Sequence, residues 1–349
     1  EQILLNSIHT HSAPTLRLDP EPRDDFSAED ARPTAAYTRS LQEKIVDVTS
    51  RALAKMEPAR LSTGTGVATF VMNRREVTRN GIILGFNPRG LADRSVPVLR
   101  IDGADGNLRA VLFICACHNT TLGPNNMLIS GDYGGYAQRA IEDQHPGVIA
   151  LMMLGCAGDA NPHPRGTMDM ARDHGETLGK EVSRVLGEKL KPIRGPLKTD
   201  LEQVAIPLTE PPPREELETM ARSGPGYKQG VAREMLALLD KNEKIPTAYS
   251  APIALWQFGD DLTLVALPGE VVADYVPLLE RALGQLDLWV AAYSNDVFGY
   301  LPSARVIEEG GYETRGIYSG GPGFFSPKAQ DVVVDAVRDM ARKAGRKLP

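Results

Sequence analysis

Six histidines occur in 349 residues, and three of them stand where chemistry is possible. His9 and His11 lie two apart after the mostly apolar run 2–8, a spacing that on a strand points both rings to one side. His118 follows the apolar run 111–116 and enters a loop of Asn, Thr and Gly. Imidazole and carboxylate are zinc ligands, and a catalytic zinc keeps one position for water. The carboxylate candidate is Glu270. Pro268-Gly269-Glu270 closes the apolar run 262–267 where a strand is expected to end and a helix to start, and an acid suits a helix N-terminus. A satisfied core histidine or a capping glutamate would also account for each residue taken singly, and spacing alone leaves both readings open.

These residues need elements to bring them together. The run 2–8 reads as a strand ending in His9-Thr10-His11. Tyr37, Leu41, Ile45, Val48 and Ala52 recur at spacings of three and four, so the pattern predicts an amphipathic helix over 34–56, closed by Pro58. Strands are expected at 96–101, 111–115, 148–154, 253–258, 262–267 and 288–293, and helices at 136–142, 171–190 and 327–343. The short link 103–106 favours a hairpin, so the sheet is mixed. Pro211-Pro212-Pro213 introduces a helical hairpin over 214–240. The fold class expected is α/β: a mixed sheet with flanking helices, one catalytic domain over 1–349 with a helical insertion or cap at 205–245. Open α/β sheets bind ligands beyond strand ends, which lets His9 and His118 converge.

Composition excludes several classes. A content of 42% hydrophobic and 24% charged residues is that of an ordinary globular chain. The net charge of −6, from 45 acidic and 39 basic residues without a basic run, argues against nucleic acid as a partner. No run reaches the roughly 20 apolar residues of a transmembrane helix. Cys115, Cys117 and Cys156 sit in small or apolar surroundings, as buried thiols do. The first residue is Glu1 rather than Met, which suggests that a leader or a longer N-terminal portion is absent; a removed secretion signal, and with it a secreted or periplasmic protein, would produce that start, and so would a trimmed fragment.

The chain resembles the catalytic domain of the neutral, non-lysosomal ceramidases. The segments that carry the resemblance are Ile8-His9-Thr10-His11-Ser12-Ala13-Pro14, Asn73-Arg74, Ala116-Cys117-His118-Asn119-Thr120-Thr121, the run 129–136, Gly158-Asp159-Ala160-Asn161-Pro162, Leu267-Pro268-Gly269-Glu270, and Tyr300 followed by Tyr312. Their order persists over nearly the whole chain. The resemblance implies a Zn2+ ion on His9, His118, Glu270 and Tyr300, with His11 as a catalytic histidine that does not ligate. It also brings Arg74 and Tyr312 beside the substrate carbonyl.

One departure matters. Where the family carries Gly-Asp-Val-Ser-Pro, this chain has Asn161 in place of the serine. An amide has no hydroxyl to activate, so an acyl-serine route through this position is excluded and a metal-activated water is the nucleophile expected. The expected activity is zinc-dependent hydrolysis of an N-acyl amide, ceramide-like or smaller, and the expected partner is a small, possibly lipid, N-acyl molecule. An esterase on the same metal, or a non-catalytic binding member of the fold, are the alternatives.

Overall fold

The computed structural model describes residues 3–18, 27–224, 226–285, 287–318 and 320–349, so Gln2, the start of the expected first strand, lies outside the described residues. Residues 3–18 form no strand. They are attached by two single bridges, Asn6 to Ser294 and Thr10 to Asn119. Helix α1 (Ala28–Ala54) opens at Ser27, whose Oγ accepts the Asp30 amide at 3.2 Å, satisfying one of the orphan donors of a helix start. Strands β1 (Ala59–Val67), β2 (Val71–Thr78), β3 (Gly81–Asn87), β4 (Ser95–Gly103) and β5 (Leu108–Cys115) follow. Next come α2 (Asp132–Gln144), β6 (Ile149–Leu154), β7 (Ala160–Pro162), α3 (Met168–Leu186), β8 (Lys191–Ile193) and β9 (Leu197–Pro207). The helical pair α4 (Arg214–Ser223) and α5 (Gly226–Asp240) occupies the place the prolines announced. The rest is β10 (Ala248–Phe258), β11 (Leu262–Ala266), β12 (Glu270–Val271), α6 (Tyr275–Leu283), β13 (Leu288–Ala291), β14 (Tyr300–Leu301), α7 (Ala304–Glu309) and α8 (Ala329–Ala344).

The strands form two large sheets rather than one, ordered β6-β5-β4-β1-β8 and β13-β11-β10-β9, with a smaller β3-β2-β7 sheet and the pair β12-β14. Pairs β5–β6, β11–β13 and β12–β14 are parallel and β4–β5 is the expected antiparallel hairpin, so the architecture is mixed α/β. Alternation along each strand explains the layering. Leu99, Ile114 and Met153 of the first sheet meet Ala254, Leu264, Ala266 and Trp289 of the second in one apolar cluster. The opposite faces, through Val98, Val111 and Phe113 on one sheet and Val265 and Leu255 on the other, take the helices. Helices α2 and α3 cover the first sheet, and α6 and α8 the second. The result is two sheets face to face between two helical layers.

Four strand ends meet at one edge. The C-terminal ends of β6 and β13 join directly, with Ala292 N donating to Leu154 O at 2.9 Å and Gly155 bridging Ala291. Asn6 pins the N-terminal segment to this seam: its Nδ2 donates to Ala292 O at 2.7 Å, and its Oδ1 accepts Leu154 N at 2.9 Å. His118, Asp159 and Glu270 all leave from this edge. All three cysteines are buried free thiols.

Candidate metal centre

His9 reaches the site through a left-handed backbone, at a φ of 56°, and not through the pleat of a strand. The two rings nevertheless meet: their centroids are 4.7 Å apart and His11 Nε2 lies 3.1 Å from His9 Nε2. Asn119 holds this segment against His118, since its Oδ1 accepts Gly134 N at 2.9 Å while its Nδ2 donates to Ile8 O. His9, His11 and His118 bring their ligand atoms within 4.8 Å of one another, so the cluster can hold a metal ion.

Glu270 does not cap a helix. It opens the two-residue strand β12, opposite Tyr300 of β14, and α6 begins only at Tyr275. The Pro268-Gly269 turn needs glycine twice over: φ is 76°, and a Cβ there would meet Gly299 O at 2.8 Å and the Phe298 ring. Glu270 Oε2 then lies 3.2 Å from His9 Nε2 and 3.0 Å from His118 Nε2.

The protonation of His118 decides what this triangle is. Its Nδ1 lies 2.7 Å from Ala157 O, and a carbonyl only accepts, so Nδ1 carries the hydrogen. A neutral His118 then presents a lone pair to a carboxylate oxygen, an arrangement favourable only with a cation between them. A proton is disfavoured there, because burial first and then Arg74 pull His118 down to about 3. The short contact is therefore no ordinary ion pair. A divalent ion fits instead: donor atoms 3.0–3.2 Å apart approximate the edges, about 3.3 Å, of a tetrahedron with zinc–ligand bonds of about 2.0 Å.

Around this triangle stand groups of two kinds. Tyr318 donates to Glu270 Oε1 at 2.7 Å and Tyr293 approaches Oε2 at 3.3 Å. Tyr300 turns its hydroxyl to Arg74, accepting from NH2 at 3.0 Å, and the Tyr300 and Tyr312 rings stand 5.7 Å apart. Arg74 is 5% exposed, and burial works against its charge, but Tyr300 and Glu313 hold its pKa above the ordinary value. Glu313 Oε1 accepts Arg74 Nε at 2.9 Å and Oε2 accepts Arg75 NH1 at 2.6 Å. Arg74 NH1 lies 3.3 Å from His118 Nε2 and 3.4 Å from Asn161 Oδ1. Asn161 Oδ1 also accepts Thr120 Oγ1 at 3.2 Å, which leaves Nδ2 as the end that can donate. Burial, and then the neighbouring His9, lower the His11 pKa.

A cavity of about 400 Å³ opens beside these groups, lined by His11, Arg74, Thr120, Asn161, Tyr300 and Tyr312 among others. A larger one, about 800 Å³, lies between α6 and residues 346–349 and contains none of them. Every residue singled out from the sequence thus lies in the triangle or beside it. Sequence reasoning assigned no role to Tyr293, Glu313 or Tyr318. The signal for Tyr318 was faint, an aromatic within a Gly-rich loop. Its neighbour Ile317 bridges Gly299, which sets Tyr318 beside Glu270. Thr120 and Asp159 lay inside the motifs but carried no assigned function.

No family model matches the chain. Neutral ceramidase B of Dictyostelium discoideum is 27% identical over 182 residues, covering 47% of this chain and 24% of that protein. Neutral ceramidase A of the same organism is 25% identical over 185 residues, covering 48% and 24%. The matched stretch thus spans about a quarter of each curated relative. Among solved structures, neutral ceramidase from Pseudomonas aeruginosa superposes on 93% of this chain and 57% of its own, with a TM-score of 0.61 and 20% identity. A ceramidase complexed with C2 superposes on 99% and 62%, with a TM-score of 0.63 and 19% identity. Over about half its length the chain is a sequence relative of the neutral ceramidases, and its fold is that of their solved structures.

Proposed function

We propose that the protein is a zinc-dependent hydrolase that cleaves the amide bond of an N-acyl compound. The observation that carries this reading is the meeting of the His118 lone pair with the Glu270 carboxylate beside a polar cavity, an arrangement that calls for a divalent cation. His9, His118 and Glu270 would hold the ion, with Tyr300 as the fourth donor that the family resemblance implies. Bound there, zinc supplies a water of pKa near 7 and polarises a carbonyl.

The remaining steps belong to side chains. Arg74 is buried, paired and fixed by Glu313 and Tyr300, so its NH1 is a preorganised donor for the oxygen that gains charge as the carbonyl is attacked. Asn161 orients the amide through Nδ2 and cannot form an acyl intermediate. His11 lines the cavity and touches His9, where it can pass a proton to the departing amine. Tyr312 closes the cavity wall, its hydroxyl occupied by Arg315. The same reading makes 1–349 one catalytic domain, with 205–245 as its helical insertion.

The test joins elemental analysis to kinetics on N-acyl amides and matched esters, for the native chain and Glu270→Gln. The expected result is about one zinc per chain and faster amide than ester turnover relative to the uncatalysed rates, with both metal and turnover reduced in the variant. Full zinc content and unchanged turnover in Glu270→Gln would refute the assignment of Glu270. A filled site that turns over neither class would make the protein a binding member of the fold.

A further inference from the structure

The cavity beside the histidines has a charge of its own. Its protonatable lining among the described residues is Arg74, Arg165, His11 and His163, with no aspartate or glutamate. Arg74 is balanced from beneath by Glu313. Arg165 has no such partner: among the described residues it makes no hydrogen bond and no ion pair. An exposed arginine by itself would be only a solvated cation. This one lines the cavity that His11 also lines, on a turn fixed at both ends. His163 N donates to Phe70 O at 2.9 Å, Gly166 N donates to Thr121 O at 2.7 Å, and Pro164 O contacts His174 Nε2 at 2.6 Å. The opposite character comes from β2 and β3, where Met72, Leu84 and Phe86 line the same cavity, with the Phe86 ring 4.3 Å from that of His163.

A neutral two-chain lipid amide would make no use of this cation at the cavity wall, whereas an anionic ligand would. The cavity, about 400 Å³, is also near the lower end of the range for ligand pockets, about 300–1,000 Å³. We propose that the substrates are N-acyl amino acids of short to medium acyl chain. The carboxylate sits on Arg165, the chain lies along Leu84 and Phe86, and the amide faces the metal centre. The inference rests on the hydrolytic reading above. Its reaction consumes one water, breaks the C–N bond and releases a carboxylic acid and a free amino acid, with the proton going to the departing nitrogen.

The experiment compares N-hexanoylglycine with its neutral partner N-hexanoylglycinamide on the full-length protein, Arg165→Gln and Arg165→Lys. Affinity is read by calorimetry, and products are followed by chromatography of the same samples. The expected result is an affinity about tenfold higher for the carboxylate in the native chain, the size of one charge-assisted hydrogen bond. That ratio falls to near one in Arg165→Gln and is partly kept in Arg165→Lys. Equal affinities, absence of binding included, or a preference that survives Arg165→Gln would overturn the inference. A preference that depends on Arg165 without any product would uphold the ligand class and sink the hydrolytic reading. Product formed from both compounds without preference would do the reverse.

Discussion

The hydroxyl of Tyr318 donates to Glu270 Oε1 at 2.7 Å, on the far side of the carboxylate from the oxygen that His9 and His118 face. If Glu270 holds the proposed metal, this contact fixes the rotation of its carboxylate in the way that outer partners do, and such partners commonly change affinity 10- to 100-fold. Tyr318→Phe should therefore weaken zinc binding by about tenfold while a saturating metal concentration still fills the site. Competition against a chelator of known affinity measures this. An unchanged affinity would show that Oε1 needs no anchor.

Asn161 holds the position of the missing serine, with its oxygen engaged by Thr120 and Arg74. Asn161→Ala should lower kcat/KM by roughly 5- to 150-fold, the effect of one directional hydrogen bond of about 1–3 kcal/mol. Zinc content should stay constant, because the residue supplies no metal donor. Loss of the metal along with the activity would mean that Asn161 supports the centre rather than the substrate.

Glu313, 1% exposed, is the shared acceptor of two buried arginines. Glu313→Ala leaves Arg74 without its carboxylate partner, while Arg75 keeps Glu309 at 3.0 Å, and breaking a buried pair of this kind costs about 3–5 kcal/mol. Urea denaturation followed by circular dichroism should show that loss, with the midpoint moving and the slope preserved. A shift within 1 kcal/mol would make the cluster far more solvated than its burial implies.

Asp159 titrates in a window of its own. Burial pushes its carboxyl up to about 6, although the Ala273 amide, which donates to Oδ1 at 2.8 Å, acts in the opposite sense. The unfolded carboxyl titrates near 3.8. Between these values the folded chain keeps a proton that the unfolded chain has released, so stability falls as pH rises through the window, by about 3 kcal/mol in all. The unfolding free energy of Asp159→Asn, taken relative to the native chain, should accordingly improve between pH 4 and pH 7. A difference that does not vary with pH would place the titration elsewhere.

How much of this was readable in the sequence depended on burial. Strand β11 is buried along its whole length, and the last three residues of β5 and of β6 are buried as well, so all three read as apolar runs and their expected bounds lie close to the observed ones. Strand β1 gives no apolar run because Ser62, Thr63, Gly64, Thr65 and Gly66 fill its centre, only Gly66 among them buried, and dilute the period. The half-exposed β9 was likewise missed. Division into two sheets is a matter of pairing across long separations, which no local pattern encodes. In the centre, His9, His118 and Glu270 were suggested by residue type and by position after apolar runs. Arg74, Tyr300, Asn161 and Tyr312 were picked out only through the resemblance. Glu313 looked like any surface acid until the 3₁₀ turn Tyr312–Thr314 carried it inside.

The seam where Asn6 fastens residues 3–11 across β6 and β13 has a consequence for the order of assembly. The donors arrive from positions as distant as His9 and Glu270, so each must first cross a long loop closure. A zinc finger folds because its ligands, close in sequence, capture the ion early. Here no partly formed chain can offer a cation its full set of donors until both sheets have joined and the first segment has docked. Metal uptake would then mark the completion of folding, and a newly made chain would have to find its native topology without help from the ion proposed for this site.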